Sequence, residues 1–356
     1  MGSRQPFPHK PKPKTSIIFL AITISASLLI LSAILYFLYY LWYSLVHKSR
    51  TSPFDAASPL NKLQKFSYKE LKNATNNFSA SNSIGKGGSG TVFRGILPDG
   101  KLVAVKLLDS NLLQSEQEFQ NELKTLGGLK PCPRIVSLIG FCVEKDNRLV
   151  VFEYMPNRSF NYNYNNNDFN LCLNWGIRFN IILDVAKALA FLHLECEPAV
   201  IHGDVKPSNV LLDSEFRAKL SDFGLSRFKL EEGELSSTTS MRGTLCYVAP
   251  EYNGYGYLME KSDIYSLGVL VLVIVSGRRP LHVLASPMKL EKANLISWAR
   301  SLAYSGNILE LVDEQLKDEY NKEQASLCIN LALACLQKMP ELRPDIGDIV
   351  KVLKGD

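Results

Sequence analysis

The alternation of apolar and polar positions changes character along the chain. From Thr15 to Val46 no residue is charged. That stretch exceeds the roughly 20 apolar residues that cross a bilayer as a helix. Its centre, Ile17 to Leu38, is rich in Ile, Leu and Ala, and its far end gathers Tyr36, Phe37, Tyr39, Tyr40, Trp42 and Tyr43, an aromatic group suited to the headgroup level. The pattern predicts a single transmembrane helix over 15–46 behind a short tail, 1–14. A cleaved signal peptide, with Lys10, Lys12 and Lys14 as its basic end, is the competing reading, but the apolar run is longer than the usual core of about 7 to 15 residues. Residues 47–65 are polar, hold Pro53 and Pro59, and open a juxtamembrane linker that reaches residue 77.

From Phe66 the pattern becomes globular. Ile84 to Lys106 reads as a glycine turn, a strand, a turn at Pro98-Asp99-Gly100 and a second strand, Leu102 to Lys106. Ser115 to Leu126 has helical spacing, and Arg148 to Tyr154 reads as a strand. Leu173 to Leu194 reads as a long amphipathic helix that ends before Pro198. More helices follow from Ser262. Strands first and helices later predict an α+β fold with a small β-rich lobe and a larger helical one. Residues 161–170, rich in Asn and Tyr, form a low-complexity patch that reads as a surface loop.

Composition narrows the partners. Hydrophobic residues make up 46% and charged residues 21%, values of a globular chain and not of a disordered one. The net charge of +5 is local. Arg4, Lys10, Lys12, Lys14, Lys48 and Arg50 face no acid within residues 1–50, which leaves 34 basic against 35 acidic residues elsewhere. No broad basic surface for nucleic acid is implied. The basic residues flank the apolar run almost evenly, so charge alone does not orient it. The seven cysteines (132, 142, 172, 196, 246, 328 and 335) show no zinc spacing and read as free thiols of a reducing compartment.

The chemistry lies in five ordered motifs. Gly85-Lys86-Gly87-Gly88-Ser89-Gly90 leads into Thr91-Val92-Phe93, a strand and not the helix that a dinucleotide fold requires. A glycine hairpin of this kind can lie over phosphates. Val103-Ala104-Val105-Lys106 ends in a lone lysine that suits the α- and β-phosphates, and Glu122 is the candidate acid to hold it, with Glu116 and Glu118 as alternatives. His202-Gly203-Asp204-Val205-Lys206-Pro207-Ser208-Asn209 is followed by Asp222-Phe223-Gly224 and then by Ala249-Pro250-Glu251. Phosphoryl transfer needs a carboxylate near the attacking hydroxyl, oxygen ligands for a divalent cation, and a cation near the moving phosphate. The set supplies each.

On these motifs residues 78–355 resemble the eukaryotic protein kinase family. The resemblance implies a two-lobed fold with an N-lobe over 78–152, a hinge over 153–157 and a C-lobe over 158–355. It implies ATP in the cleft and Mg²⁺ held by Asn209 and Asp222. Asp204 would accept the substrate hydroxyl's proton and Lys206 would steady the γ-phosphate. The nucleotide would lie against Ile84, Gly85, Lys86, Gly87, Gly88, Ser89, Gly90 and Val92, with Ala104 and Leu211 on its ring. Lys106 would bind its phosphates and pair with Glu122. Phe152 falls at the gatekeeper position, and the backbone of Glu153 and Met155 would meet adenine. Asp263 would brace the catalytic loop, and Arg343 would pair with Glu251.

The pattern from Asp204 to Asn209, with Thr244 downstream, resembles serine/threonine kinases. Phe66-Ser67-Tyr68-Lys69-Glu70-Leu71 and Ala74-Thr75-Asn76-Asn77-Phe78-Ser79 look like the lead-in of plant receptor-like kinases. That resemblance implies a single-pass protein of the plasma membrane with a cytoplasmic kinase domain, protein substrates, and a co-receptor that bears a ligand-binding ectodomain. A pseudokinase scaffold is the alternative, but the lysine and both functional aspartates are in place. The sequence departs from the family at three points, one being the Asn-rich patch of 161–170, which sits where a short helix would follow the hinge. Gly203 stands where many kinases have Arg, as in the non-RD group, and Pro131-Cys132-Pro133 replaces a His-containing turn after the regulatory helix. The hydroxyl cluster Ser236, Ser237, Thr238, Thr239 and Ser240 falls in the activation segment.

Overall fold

The computed structural model describes residues 24–40, 42, 63–109, 113–160, 173–229, 244–255, 258–281 and 293–355. The chain divides into two units, Met1–Ser58 and Pro59–Asp356. In the first, residues 24–40 are helical, and Leu29, Tyr36 and the other large apolar side chains there are exposed. Among the described residues no helix is long and apolar enough to cross a membrane. Most of the expected span outside 24–40, the tail 1–14, the Asn-rich patch, Cys172 and the hydroxyl cluster of 236–240 lie outside the described residues.

The second unit folds in two lobes. Its small lobe is a six-stranded sheet. In chain order the strands are β1 (Gln64–Lys65), β2 (Ser83–Gly87), β3 (Gly90–Ile96), β4 (Leu102–Leu108), β5 (Leu138–Glu144) and β6 (Asn147–Glu153), arranged spatially as β1-β5-β6-β4-β3-β2. All neighbours are antiparallel except β1, which runs parallel to β5. The period-2 rule decides what β4 presents. Val103 and Val105 face one layer with Phe66, Leu71, Leu97, Cys142, Leu149 and Val151. Leu108, in register with Ala104 and Lys106 on the opposite face, packs with Phe119 and Leu123 of helix α2 (Leu113–Gly128). The strand that buries the outer core therefore delivers Lys106 to the cleft side.

Residues 63–77, within the expected linker of 47–77, pack into this lobe. Ser67 caps helix α1 (Tyr68–Ala74): its hydroxyl accepts from the Glu70 N–H, while the Glu70 carboxylate accepts from the Ser67 N–H at 2.7 Å. Phe66, Leu71 and Thr75 are buried. A Cβ on Gly140 would stand 2.0 Å from the Gln64 carbonyl oxygen, so a glycine in β5 is what lets β1 approach. The sequence hid this because the buried residues are few and widely spaced between polar ones.

The larger lobe is built on helices α3 (Trp175–Ala190), α5 (Glu260–Ser276), α6 (Leu295–Tyr304), α7 (Lys322–Cys335) and α8 (Ile346–Lys354), with short α4 (Pro250–Tyr255) before α5. Helix α5 is apolar nearly all round and is correspondingly buried from Ile264 to Ser276, apart from Tyr265. Gly268 admits α7 to its surface, since a Cβ there would lie 2.9 Å from both the Ala332 oxygen and the Cys335 Cβ. Arg178 of α3 is fully buried and donates to the carbonyls of Leu173 and Ile274 and, at 2.7 Å, to Asp313. The predicted helix of 173–194 stops being α-helical at Ala190 and finishes in a π-turn, Phe191–Glu195. Strands β7 (Val200–Ile201), β8 (Val210–Leu212), β9 (Ala218–Leu220) and β10 (Arg227–Phe228) form two small ribbons at the cleft. Burial pushes the thiols of Cys142 up to about 11 and of Cys328 and Cys335 up to about 12, so all three are protonated and inert.

Truncation of Leu71 tests whether α1 belongs to the lobe. Leu71→Ala should lower stability by about 2–5 kcal/mol, as for a fully buried leucine, read by chemical unfolding of variant and wild type side by side. An unchanged midpoint would mean that the segment behaves as an undocked linker.

Candidate active site

The glycine hairpin is set by β2 and β3. No atom lies within 4 Å of where a Cβ on Gly87 or Gly88 would be, so their backbone borders open space. Gly90 is different: φ is 153°, and a Cβ would meet the Leu107 carbonyl oxygen at 2.2 Å. Only glycine lets β3 start there against β4. Ile84, Gly85 and Lys86 lie in β2, Ser89 in the turn, and Val92 in β3 opposite Lys106.

Lys106 Nζ donates to Glu122 Oε2 at 2.9 Å and to Asp222 Oδ1 at 3.2 Å. Burial works against the ammonium charge, but the Glu122 and Asp222 carboxylates outweigh it and raise Lys106 above the usual lysine value. Burial likewise opposes the Asp222 carboxylate, and Lys106 more than offsets it and lowers its pKa. Glu116 is instead 2.8 Å from Arg148, and Glu118 accepts from Gln114, so Glu122 is the acid on this lysine.

The loop of residues 202–209 hangs from one buried carboxylate. Asp263 of α5 accepts from the His202 N–H at 2.8 Å, the Gly203 N–H at 2.8 Å and His193 Nε2 at 2.9 Å. The π-turn at Phe191–Glu195 carries that histidine. His202 Nδ1 accepts from the Asp204 N–H, which leaves Nε2 protonated to donate to the Ser221 carbonyl. The same ring packs edge-on against Phe223 at 4.8 Å. Gly203 has φ 79°, and a Cβ there would come within 2.9 Å of Leu258 Cδ2 and 3.2 Å of the Leu225 oxygen. This position is thus left-handed, and a side chain there would have to displace the Leu258 methyl.

Around Asp204 three side chains converge. Lys206 Nζ donates to Asp204 Oδ2 at 2.6 Å and to Thr244 Oγ1 at 3.0 Å. Asn209 Nδ2 donates to the Asp204 carbonyl and to its Oδ2, both at 2.9 Å. With its nitrogen so fixed, the amide oxygen of Asn209, which accepts only a long 3.4 Å bond from the Ser208 hydroxyl, is the atom that can meet a cation. The Asp222 side chain is 38% exposed. Two hard oxygen ligands, with room for water and phosphate oxygens, fit a Mg²⁺-type ion. Among the described residues no cluster of three His, Cys, Asp or Glu forms a closed metal cage.

At the hinge Met155 is buried, and Leu211 lies in β8 beside the Ser159 bridge. The Glu153 N–H is taken by the Ser137 carbonyl, so this residue can meet a ring only through its own carbonyl. Its carboxylate turns to Lys219, at 2.9 and 2.8 Å, and to the Ser137 N–H. Arg343, buried, forks onto both oxygens of Glu251 at 2.7 Å. The Pro131-Cys132-Pro133 segment closes with a turn from the Ile135 N–H to the Cys132 carbonyl, and α2 keeps Glu122 on Lys106. Residues outside the motifs also take part: His193, Ser221, Lys219, Asn121 and Thr125. A helical spacing of four links the last two, but such spacing occurs on every helix and gave no specific signal.

The family model of the protein kinase domain matches residues 78–352. The chain is similar to a receptor-like protein kinase of Arabidopsis thaliana, 37% identical over 668 residues, which takes in 100% of this chain and 96% of the relative. Since this chain has 356 residues, that relative carries long stretches with no counterpart here. It is also similar to a leucine-rich-repeat receptor-like serine/threonine-protein kinase of the same plant, 42% identical over 297 residues, covering 82% of this chain and 28% of the relative. A proline-rich receptor-like protein kinase is 38% identical over 295 residues, covering 82% of this chain and 57% of the relative. The chain thus spans under a third of the leucine-rich-repeat relative and little over half of the proline-rich one. It belongs to the protein kinase family. Within that family it is a receptor-like serine/threonine kinase of the plant type.

The acid limb of stability tests the carboxylate under the loop. Burial opposes the Asp263 charge, but His193, His202 and the Gly203 N–H outweigh it and hold the carboxyl below its ordinary 3.8. A lowered folded pKa contributes stability that is present above the unfolded value and lost as pH falls through the folded value. Glu251 has the same sign: burial opposes its charge and Arg343 overcomes it. Asp263→Asn should therefore lose stability less steeply than wild type below about pH 4. At neutral pH it should already be weaker by about 1–3 kcal/mol. Parallel acid limbs in the two proteins would show that Asp263 is not the group responsible.

Proposed function

We propose that this protein is a membrane-anchored kinase that transfers the γ-phosphate of ATP to serine and threonine hydroxyls of protein substrates in signal transduction. The observation that carries the reading is the simultaneous assembly of two clusters, Lys106–Glu122–Asp222 and Asp204–Lys206–Asn209. Lys106, raised in pKa and held between two carboxylates, keeps a cation where the phosphates of ATP would lie. The glycine hairpin of residues 84–90, with Val92, covers them. Ala104 and Leu211 bound the ring, and the Glu153 and Met155 backbone meets its edge. Asp204 orients the substrate hydroxyl and accepts its proton, and Lys206, shared with Thr244, balances charge at the transferred group. Asn209 and Asp222 would hold Mg²⁺, which when bound neutralises phosphate charge.

The charge-free run of 15–46, the helix of 24–40 with its apolar side chains exposed, and the receptor-like relatives support a single span in the plasma membrane with the kinase unit cytoplasmic. A co-receptor that bears a ligand-binding ectodomain is the partner this reading implies. A scaffold without phosphotransfer is the second reading. The intact, mutually bonded lysine and aspartates favour catalysis over it.

The full chain should label itself on Ser or Thr with radioactive phosphate from ATP and Mg²⁺. Asp204→Asn and Lys106→Glu should each reduce labelling by about a hundredfold or more. Wild-type labelling no greater than that of Asp204→Asn would leave the scaffold reading. Alkaline carbonate should fail to extract the chain from membranes, and external protease should digest residues 66–356 in inside-out vesicles but spare them in right-side-out ones. Extraction into the soluble fraction, or the reverse protection, would overturn the anchoring.

A further inference from the structure

Helix α2 turns a stripe of side chains, Glu118, Asn121, Glu122 and Thr125, toward the backbone that follows Asp222. Their spacing of three and four residues places them on one face. Contact is close: a Cβ on Gly224 would stand 3.1 Å from the Glu118 Cβ. Asn121 Nδ2 lies 3.2 Å from the Phe223 carbonyl oxygen, 2.9 Å from that of Gly224 and 2.6 Å from that of Ser226. A carboxamide has two N–H donors, so the three carbonyls share them. One turn further on, Thr125 Oγ1 and Ser226 Oγ are 2.9 Å apart, and both residues are buried. The Ser226 hydroxyl donates its one proton to the Phe223 carbonyl at 2.7 Å. Thr125 is therefore the donor in that pair.

We propose that Asn121 and Thr125 are positioning residues that tie α2 to the backbone of Phe223, Gly224 and Ser226 and so keep Glu122 and Asp222 on Lys106. Asn121 adjoins Glu122, and its acceptors begin one residue beyond Asp222. The amide thus joins the two elements that carry the two partners of Lys106. Glu122 itself accepts from the Phe223 N–H, so the amide reinforces a contact that already joins the two elements. The tie is neutral on both sides and does not depend on a charge at the activation segment.

The proposal rests on the phosphotransfer reading for its kinetic test only. In the full chain, Asn121→Ala and Asn121→Asp should each lower kcat by about tenfold, the equivalent of one or two lost hydrogen bonds, with a smaller change in KM for ATP. Asp has the shape of Asn but offers oxygen where N–H is needed. Thr125→Val should lower kcat by about threefold, and Thr125→Ser, which keeps the donor, should restore it. In a Glu122→Gln background the Asn121→Ala penalty should shrink, because the group being positioned is already impaired. Amide hydrogen exchange at residues 223–226 should quicken in Asn121→Ala. Wild-type kcat in Asn121→Asp, or an Asn121→Ala penalty undiminished beside Glu122→Gln, would overturn the proposal. If Asn121→Ala fails to fold, the Thr125→Val and Thr125→Ser pair decides it. If the wild-type chain transfers no phosphate, the phosphotransfer reading fails while exchange at 223–226 still decides the tie: faster in the variant upholds it, unchanged refutes it.

Discussion

The site depends on a buried negative charge that three donors hold in place. A carboxylate out of water is tolerated only when its oxygens are hydrogen-bonded. Asp263, 1% exposed, meets that condition through the N–H groups of His202 and Gly203 and the ring of His193. Its helix, α5, is sealed in apolar contacts almost throughout. The hydrophobic core of the large lobe thereby dictates where two consecutive peptide groups stand, and Asp204 follows directly after them. The left-handed backbone at Gly203 is stabilised by the same bonds, in a place where a side chain would clash with Leu258.

The small lobe solves the converse problem. Its charge is a lysine, and two carboxylates from different elements hold it. Glu122 comes from α2 and Asp222 from the large-lobe segment, so the ion pairs are also an interlobe joint. Other joints surround it. Backbone bonds run from Leu220 to Arg134 and from Val136 to Leu220, Arg134 pairs with Asp184, and Glu153 at the hinge pairs with Lys219 of β9. His202 links the two systems, since it donates to Ser221 and packs on Phe223 either side of Asp222. The loop fixed by Asp263 and the cluster fixed by Lys106 are one arrangement.

Much of this was legible in the residues. The strand pair β3 and β4 follows from the glycine turn, the Pro98-Asp99-Gly100 turn and the alternation Val103, Val105 against Ala104, Lys106. The loop of residues 202–209 stands out in the sequence because the chemistry proposed for it needs fixed residue types at fixed spacing. Less visible was whatever depends on a partner distant in sequence. Strand β5 carries Gly140 at its centre, which weakens a strand on its own and is explained only by the Gln64 carbonyl beside it. Helix α1 offers one buried leucine and a capping box, too little apolar surface to declare that it docks. The end of α3 widens into a π-turn at Phe191–Glu195, and His193 in that turn reaches an aspartate 70 residues away. Asn121 bonds backbone carbonyls, and a carbonyl leaves no trace in sequence.

In the proposed function the Lys106 cluster and the Asn209–Asp222 pair form one preassembled nucleotide and cation site. Calorimetric titration of the full chain with a nonhydrolysable ATP analogue, with and without Mg²⁺, tests it most directly. Mg²⁺ should tighten binding in the wild type and in Asp204→Asn, whose ligands are intact, and Asp222→Asn should abolish the gain. Equal affinity with and without the cation in the wild type, or a full Mg²⁺ effect in Asp222→Asn, would contradict it.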